Sequence, residues 1–178
     1  MQTSIIPIFI PHIGCPHRCV FCNQWQITGH RGVPSPDEVR RLIASYTASA
    51  RTPRRWEVAF YGGSFTAIPV EIQEGLLQSA HEALMAGTID GIRCSTRPDC
   101  ITPAILERLQ GYGLTCVELG VQSMDDDVLT KARRGHTAGD VVAATELLRQ
   151  YGFTVGHPLL PRPPGDDRDS LVRTTDAL

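Results

Sequence analysis

The run Gly14-Cys15-Pro16-His17-Arg18-Cys19-Val20-Phe21-Cys22-Asn23 spaces three thiols as C-x3-C-x2-C. Soft thiolates select zinc, copper(I) or iron–sulfur centres. Three of them at this spacing can converge on one iron–sulfur cluster and leave one iron without a protein ligand. A ferredoxin-type site normally recruits a fourth cysteine in the same run, and none follows nearby. The vacant corner is then the expected seat of the chemistry. A structural zinc site stands beside this reading. It closes with four protein ligands, and His12, His17 or His30 would complete a Cys3His set.

Other residues could serve such a centre, each with a plainer alternative. Gly62 and Gly63 end a strand-like run, and a double glycine lets backbone approach a ligand closely because no side chain stands in the way. Alone it is a common tight turn. Ser95-Thr96-Arg97-Pro98-Asp99 reads equally as a capped strand end with Arg97 and Asp99 solvated or paired. In Arg133-Arg134-Gly135-His136-Thr137 a planar guanidinium could bind a carboxylate bidentately, or both arginines could be exposed charges at a helix end. His81, His136 and His157 need no ligand role. Cys94 and Cys116 lie in apolar strand-like runs, where buried packing is expected; Cys100 sits in a proline-flanked loop and has no assigned role.

The elements that must position these groups alternate. Ile5 to Ile10 reads as a buried strand, and its Pro7 places it at a sheet edge because proline cannot donate to a ladder on both sides. Ser35-Pro36-Asp37-Glu38 is a capping box with proline at the first helical position, so a helix is expected from there through about Tyr46. Further strands are expected from Trp56 to Tyr61, Gly91 to Thr96, Leu114 to Leu119 and Phe153 to Gly156. Between them lie helices from about Pro69 to Met85, from Thr102-Pro103 to Gly111, and a broken helical region from Asp125 to Tyr151. Strand and helix in alternation imply crossovers and a parallel sheet with helices outside. The expected fold is α/β, a partial TIM-like (β/α) barrel. Its strand-to-helix loops open at one rim, where active sites of such barrels lie. The cluster loop, the double-glycine loop, Arg97-Pro98-Asp99, Gln122-Ser123 and the proline-rich loop after the fifth strand all fall there.

Bulk composition sets outer bounds. The chain has 178 residues, 42% hydrophobic and 20% charged, with a formal net charge of -2. No block of like charges occurs, so no general attraction to nucleic acid or anionic membrane is written into it. Met1-Gln2-Thr3-Ser4 has no basic leader, and the apolar run after it is short and interrupted by Pro7, so neither a signal peptide nor a membrane span is expected. The six cysteines then read as reduced thiols of a cytoplasmic protein.

With Cys15, Cys19, Phe21 and Cys22 the chain resembles the radical SAM enzymes, whose signature is C-x3-C-x-aromatic-C. The resemblance implies that the three thiolates hold a [4Fe-4S] cluster whose fourth iron is chelated by S-adenosylmethionine. One electron then breaks the S–C5′ bond to give a 5′-deoxyadenosyl radical, delivered by a donor such as flavodoxin or ferredoxin; the cofactor carries the difficult step and the protein positions it. Gly62-Gly63-Ser64-Phe65-Thr66 resembles the element that receives the methionine amino group, with Ser64 where glutamate is typical, a variant seen in relatives of the Elongator catalytic subunit. By position, Ser95 would touch the methionine or ribose. Gln122, in a run shared with oxygen-independent coproporphyrinogen oxidases, would meet the ribose hydroxyls, where an amide offers both donor and acceptor. Arg134 would lie near the cofactor carboxylate. Glu118 is left either to the site or to a polar barrel interior.

The resemblance covers essentially the whole chain, with one departure. Where a polar residue and a Gly-Leu-Pro-Gly turn are usual, this chain has Pro158-Leu159-Leu160-Pro161-Arg162-Pro163-Pro164-Gly165, and Pro158 should end the fifth strand early. Ser170 to Leu178 reads as a helix stopping before any cap or sixth strand, so the expectation is one radical SAM core over residues 1–178 that lacks its C-terminal remainder. Elongator-type enzymes add an acetyltransferase domain, which nothing in this chain supplies. The substrate stays open between tRNA and a small molecule. A non-catalytic alternative is a cluster- or haem-binding chaperone-like protein.

Overall fold

The structure is a computed structural model that describes residues 3–23 and 32–178; His30 and the His12 side chain, candidates for the zinc alternative, fall outside what is described. Five parallel strands follow one another in sheet order: β1 (Thr3–Ile10), β2 (Arg55–Gly62), β3 (Gly91–Thr96), β4 (Leu114–Leu119) and β5 (Thr154–Gly156). Each strand pairs with its sequence neighbour, so every connection is a crossover, as the alternation of elements requires. β1 is an edge strand, which is where Pro7 can be tolerated.

Six helices complete the described chain: α1 (Pro36–Ala48), α2 (Val70–Met85), α3 (Pro103–Gly111), α4 (Asp126–Lys131), α5 (Ala138–Gln150) and α6 (Arg168–Asp176). Except at α2, which follows Pro69, their starts are set by side chains that take up backbone donors with no partner in the first turn. Ser35 and Glu38 form the expected capping box, Thr102 caps α3, and Thr137 with Asp140 caps α5. The last helix differs from expectation. The helix begins at Arg168; Ser170 is its third residue and completes a capping box with Asp167, and the helix closes at Asp176 with the Ala177 N–H bonded to the Arg173 carbonyl.

One alternation of strand residues builds the core. Ile6, Ile8 and Ile10 of β1, Trp56, Val58 and Phe60 of β2, Ile92 and Cys94 of β3, and Leu114, Val117 and Leu119 of β4 form a continuous buried cluster with residues of α1, α2, α3 and α5. These helices therefore cover a single face, the outer face of a partial barrel. The opposite alternation forms the inner face. A register shift between Ile92 and Arg93 pairs Arg93 with Cys116, so Thr115 is the extra residue of a β-bulge. The shift overturns the expectation for Cys116. It is only partly buried, on the inner face beside Arg93 and Glu118, whereas Cys94 is fully buried as expected.

Phe60 and Phe65 anchor the outer core, with both rings fully buried and their centroids 4.8 Å apart. Phe60→Ala should lower the unfolding free energy by about 3–5 kcal/mol in urea denaturation, and a loss below about 1 kcal/mol would contradict this packing.

Candidate functional site

The C-terminal ends of the strands converge on one cavity of about 360 Å³. Its lining includes the ten residues that the resemblance assigns to the cluster or the cofactor: Cys15, Cys19, Phe21, Cys22, Gly62, Gly63, Ser64, Ser95, Gln122 and Arg134. A larger groove of about 690 Å³ between β1 and α1 has no cysteine or histidine among the described residues that line it. The chemistry-bearing groups therefore select the smaller cavity.

The floor of the cavity is backbone held in conformations that few residues tolerate. Gly62 has φ +107°, and a Cβ there would collide with the Ile10 carbonyl. The Gly63 N–H donates to that carbonyl at 2.8 Å, fastening the double-glycine turn to the end of β1. Gly14 packs so closely on the Ser64 carbonyl that it too admits no side chain. Ser64 itself is buried; its hydroxyl lies 2.8 Å from the Thr96 hydroxyl and accepts from the Arg97 N–H at 3.3 Å. Thr66 joins this hydroxyl knot at 2.5 Å from Thr96. Arg97 is buried and closes a fork with Asp99 at 2.9 and 3.0 Å, so the plainer reading of that pair holds.

Gln122 also carries strain. Its φ is +68°, uncommon for a residue with a Cβ, and two hydrogen bonds hold it there: its N–H donates to the Pro158 carbonyl at 3.0 Å and its carbonyl accepts from Leu160 at 3.1 Å. β5 ends at Gly156, before Pro158, as the proline requires, and a single bridge from Gln122 to Leu159 resumes the pairing beyond it.

The cysteine loop is clasped from the far side by residues 132–135. The Val20 N–H donates to the Ala132 carbonyl at 3.2 Å, Arg134 Nη1 donates to Cys19 Sγ at 3.2 Å, and a Cβ on Gly135 would strike the His17 ring. Arg134 Nη2 donates to the Gly120 carbonyl just past β4. Arg133 is exposed and Arg134 buried. Nε of Arg134 and Nδ1 of His136 are buried with no partner among the described residues. Burial raises the Cys15 thiol pKa above its ordinary value, against a lowering backbone hydrogen bond from Ser64.

Of the inner-face network below the cavity, sequence reasoning offered only Glu118 and passed over the rest. Arg93 donates Nε, at 2.8 Å, and Nη2 to Glu57, and Nη1 to Glu118 at 3.1 Å. Glu118 also accepts from the Tyr61 hydroxyl at 3.1 Å and the Ser95 hydroxyl at 3.3 Å. Desolvation and the neighbouring carboxylate push Tyr61 up to about 12. The available signal was a charged residue at alternate positions of three successive strands. Glu118 thus faces the polar interior and also lines the cavity.

The residues fit a cluster: three thiols line one cavity. Thiols standing around a cavity suit a group in which each meets a different iron. Arg134 supports the same fit, since a buried guanidinium with an orphaned nitrogen implies an anion in the cavity.

A parallel partial (β/α) barrel with a thiolate-lined cavity at its C-terminal rim is the class that fold and site define. The Radical SAM superfamily model matches residues 9–176. The chain belongs to the radical SAM superfamily, whose enzymes bind a [4Fe-4S] cluster and S-adenosylmethionine. The tRNA uridine(34) acetyltransferase of Dehalococcoides mccartyi strain CBDB1 is 29% identical over 191 residues, covering 90% of this chain and 42% of the relative. Elongator complex protein 3 of Danio rerio is 29% identical over 204 residues, covering 89% and 37%. Among solved structures, Elp3 of the archaeon Methanocaldococcus infernus aligns with a TM-score of 0.71 at 20% identity, over 99% of this chain and 42% of its own. Coproporphyrinogen III oxidase of Escherichia coli aligns with a TM-score of 0.67 at 19% identity, over 98% and 41%. The structural likenesses show the fold. The chain spans about two fifths of the length of these relatives. No helix among the described residues is long and apolar enough to cross a membrane.

His136 gives a test of the packing behind the cavity. Its pKa falls from the ordinary 6.5 to about 4, first through desolvation and then through Arg134 and Arg97, against a smaller raising effect of Asp99. The unfolded chain takes up this proton first, so the stability it confers is complete above the ordinary value and is lost as pH falls toward about 4. Urea unfolding measured across that window should fall more steeply for the wild type than for His136→Gln; parallel curves would contradict a buried neutral imidazole.

Proposed function

We propose that the chain is the core of an S-adenosylmethionine-dependent radical enzyme, with Cys15, Cys19 and Cys22 as the ligands of a [4Fe-4S] cluster. One observation carries this reading. The three thiols, the double-glycine turn, Gln122 and Arg134, drawn from the connections after three different strands, meet in a single cavity. Residues 1–178 form the larger part of one such core, and the relatives are longer chains.

When bound, the cluster and S-adenosylmethionine supply one-electron reductive cleavage of a sulfonium to a 5′-deoxyadenosyl radical. The chain's own residues bind and orient. The Ser64 hydroxyl is spent on Thr96 and Arg97, which leaves the backbone of the double-glycine turn to meet an ammonium group. Arg134 supplies a guanidinium for the carboxylate. The amide of Gln122, locked by its strained backbone, offers donor and acceptor to a ribose diol. Ser95 stands beside it on the cavity wall through its bond to Glu118, and Phe21 gives a flat apolar surface for the purine.

The chain is expected to act in the cytoplasm, where thiols stay reduced, with an electron donor such as flavodoxin or ferredoxin. The names of the relatives make tRNA the first substrate class to test, ahead of a small molecule. The 19% likeness to coproporphyrinogen III oxidase carries no weight for a haem-binding role.

Anaerobic reconstitution with iron and sulfide should load one cubane cluster per chain, visible by its charge-transfer absorption. Dithionite and S-adenosylmethionine should then yield 5′-deoxyadenosine, and Cys15→Ala, Cys19→Ala or Cys22→Ala should each abolish cluster and product together. Stoichiometric zinc without sulfide-derived absorption, or a reduced cluster-bearing chain that releases no 5′-deoxyadenosine, would overturn the proposal.

A further inference from the structure

We infer that Arg134 sets the reduction potential of the cluster through a charge-assisted N–H···S bond to Cys19, a role that rests on the cluster reading above. Arg134 is only 7% exposed, yet none of the ion pairs among the described residues includes it. A buried cation is costly unless an anion compensates it. Its described bonds go to the neutral Gly120 carbonyl and to Cys19 Sγ at 3.2 Å. A protonated thiol is a weak acceptor. An iron-bound thiolate is an anion, and with it the guanidinium gains the compensating charge that the described contacts otherwise lack.

Backbone holds the pair together. Arg133 and Gly135 flank Arg134 with φ of +54° and +73°, and the N–H groups of Arg133 and Arg134 donate to the Thr130 and Leu129 carbonyls at 3.0 and 2.9 Å. The Val20 to Ala132 bond docks this turn on the cysteine loop. The guanidinium is thus fixed against the sulfur by main-chain geometry on both sides. Reduction adds one electron and no proton to the cluster, so negative charge on its sulfurs grows. The electron comes from an external one-electron carrier of the flavodoxin or ferredoxin class. A cation hydrogen-bonded to a ligating sulfur stabilises the reduced form and raises the potential. Arg134 acts through Cys19 and is therefore a tuning residue.

The test is an EPR-monitored redox titration of the full chain, reconstituted anaerobically and without S-adenosylmethionine, for wild type, R134Q and R134K. With equal iron and sulfide content, the midpoint of R134Q should move to more negative potential, and that of R134K, which keeps the charge but not the fork, should lie between. Coincident midpoints for wild type and R134Q overturn the inference while leaving the cluster reading intact. If R134Q loads no iron, pulsed EPR of the reduced wild type grown on ¹⁵N-arginine decides. A ¹⁵N coupling absent from R134K supports the inference, and no coupling overturns it. A wild-type chain that takes up no cluster overturns the reading beneath it and this inference together.

Discussion

Everything at the rim depends on parallel strands ending at one level. Because β1 to β4 run side by side in order, the loops that leave them emerge together, and residues as distant in sequence as Cys19 and Arg134 can touch. The contact is more than proximity. A guanidinium removed from water joins the loop after β1 to the carbonyl after β4, and its charge calls for a negative group in the space between. The glycines serve the same end. Gly14, Gly62 and Gly135 each occupy a spot where a Cβ would strike a neighbouring loop, so the loops can close on one another only because those side chains are absent.

Much of the scaffold was legible in the sequence, because it is local. Pro7 marked β1 as an edge, Ser35-Pro36-Asp37-Glu38 marked the start of α1, and Pro158 marked the early end of β5. The candidate site was legible for a related reason: its residues follow strands, and a parallel β/α order sends every such loop to the same rim. The misplaced features are those set by pairings remote in sequence. Nothing near Thr115 announces the bulge that turns Cys116 to the inner face, since the shift exists only relative to β3. The last helix was expected from Ser170 and starts two residues earlier, because Asp167 caps it and the Ser170 hydroxyl and backbone complete the box with Asp167.

The inner face shows the same limit. Arg93 pairs with Glu57 and Glu118, which lie 36 and 25 residues away, and only the sheet register brings them within reach. A single charged residue in a strand reads as a solvated edge; three of them on adjacent strands with one alternation make a network. Tyr61 and Ser95 attach to it through Glu118, so the wall is cross-linked by hydrogen bonds up to the cavity.

That wall has a polarity of its own. Arg93 is held between two carboxylates, so its positive charge is already answered and one unit of negative charge is left over among the three. That net charge disfavours phosphate and carboxylate groups beneath the cavity and favours groups that donate hydrogen bonds.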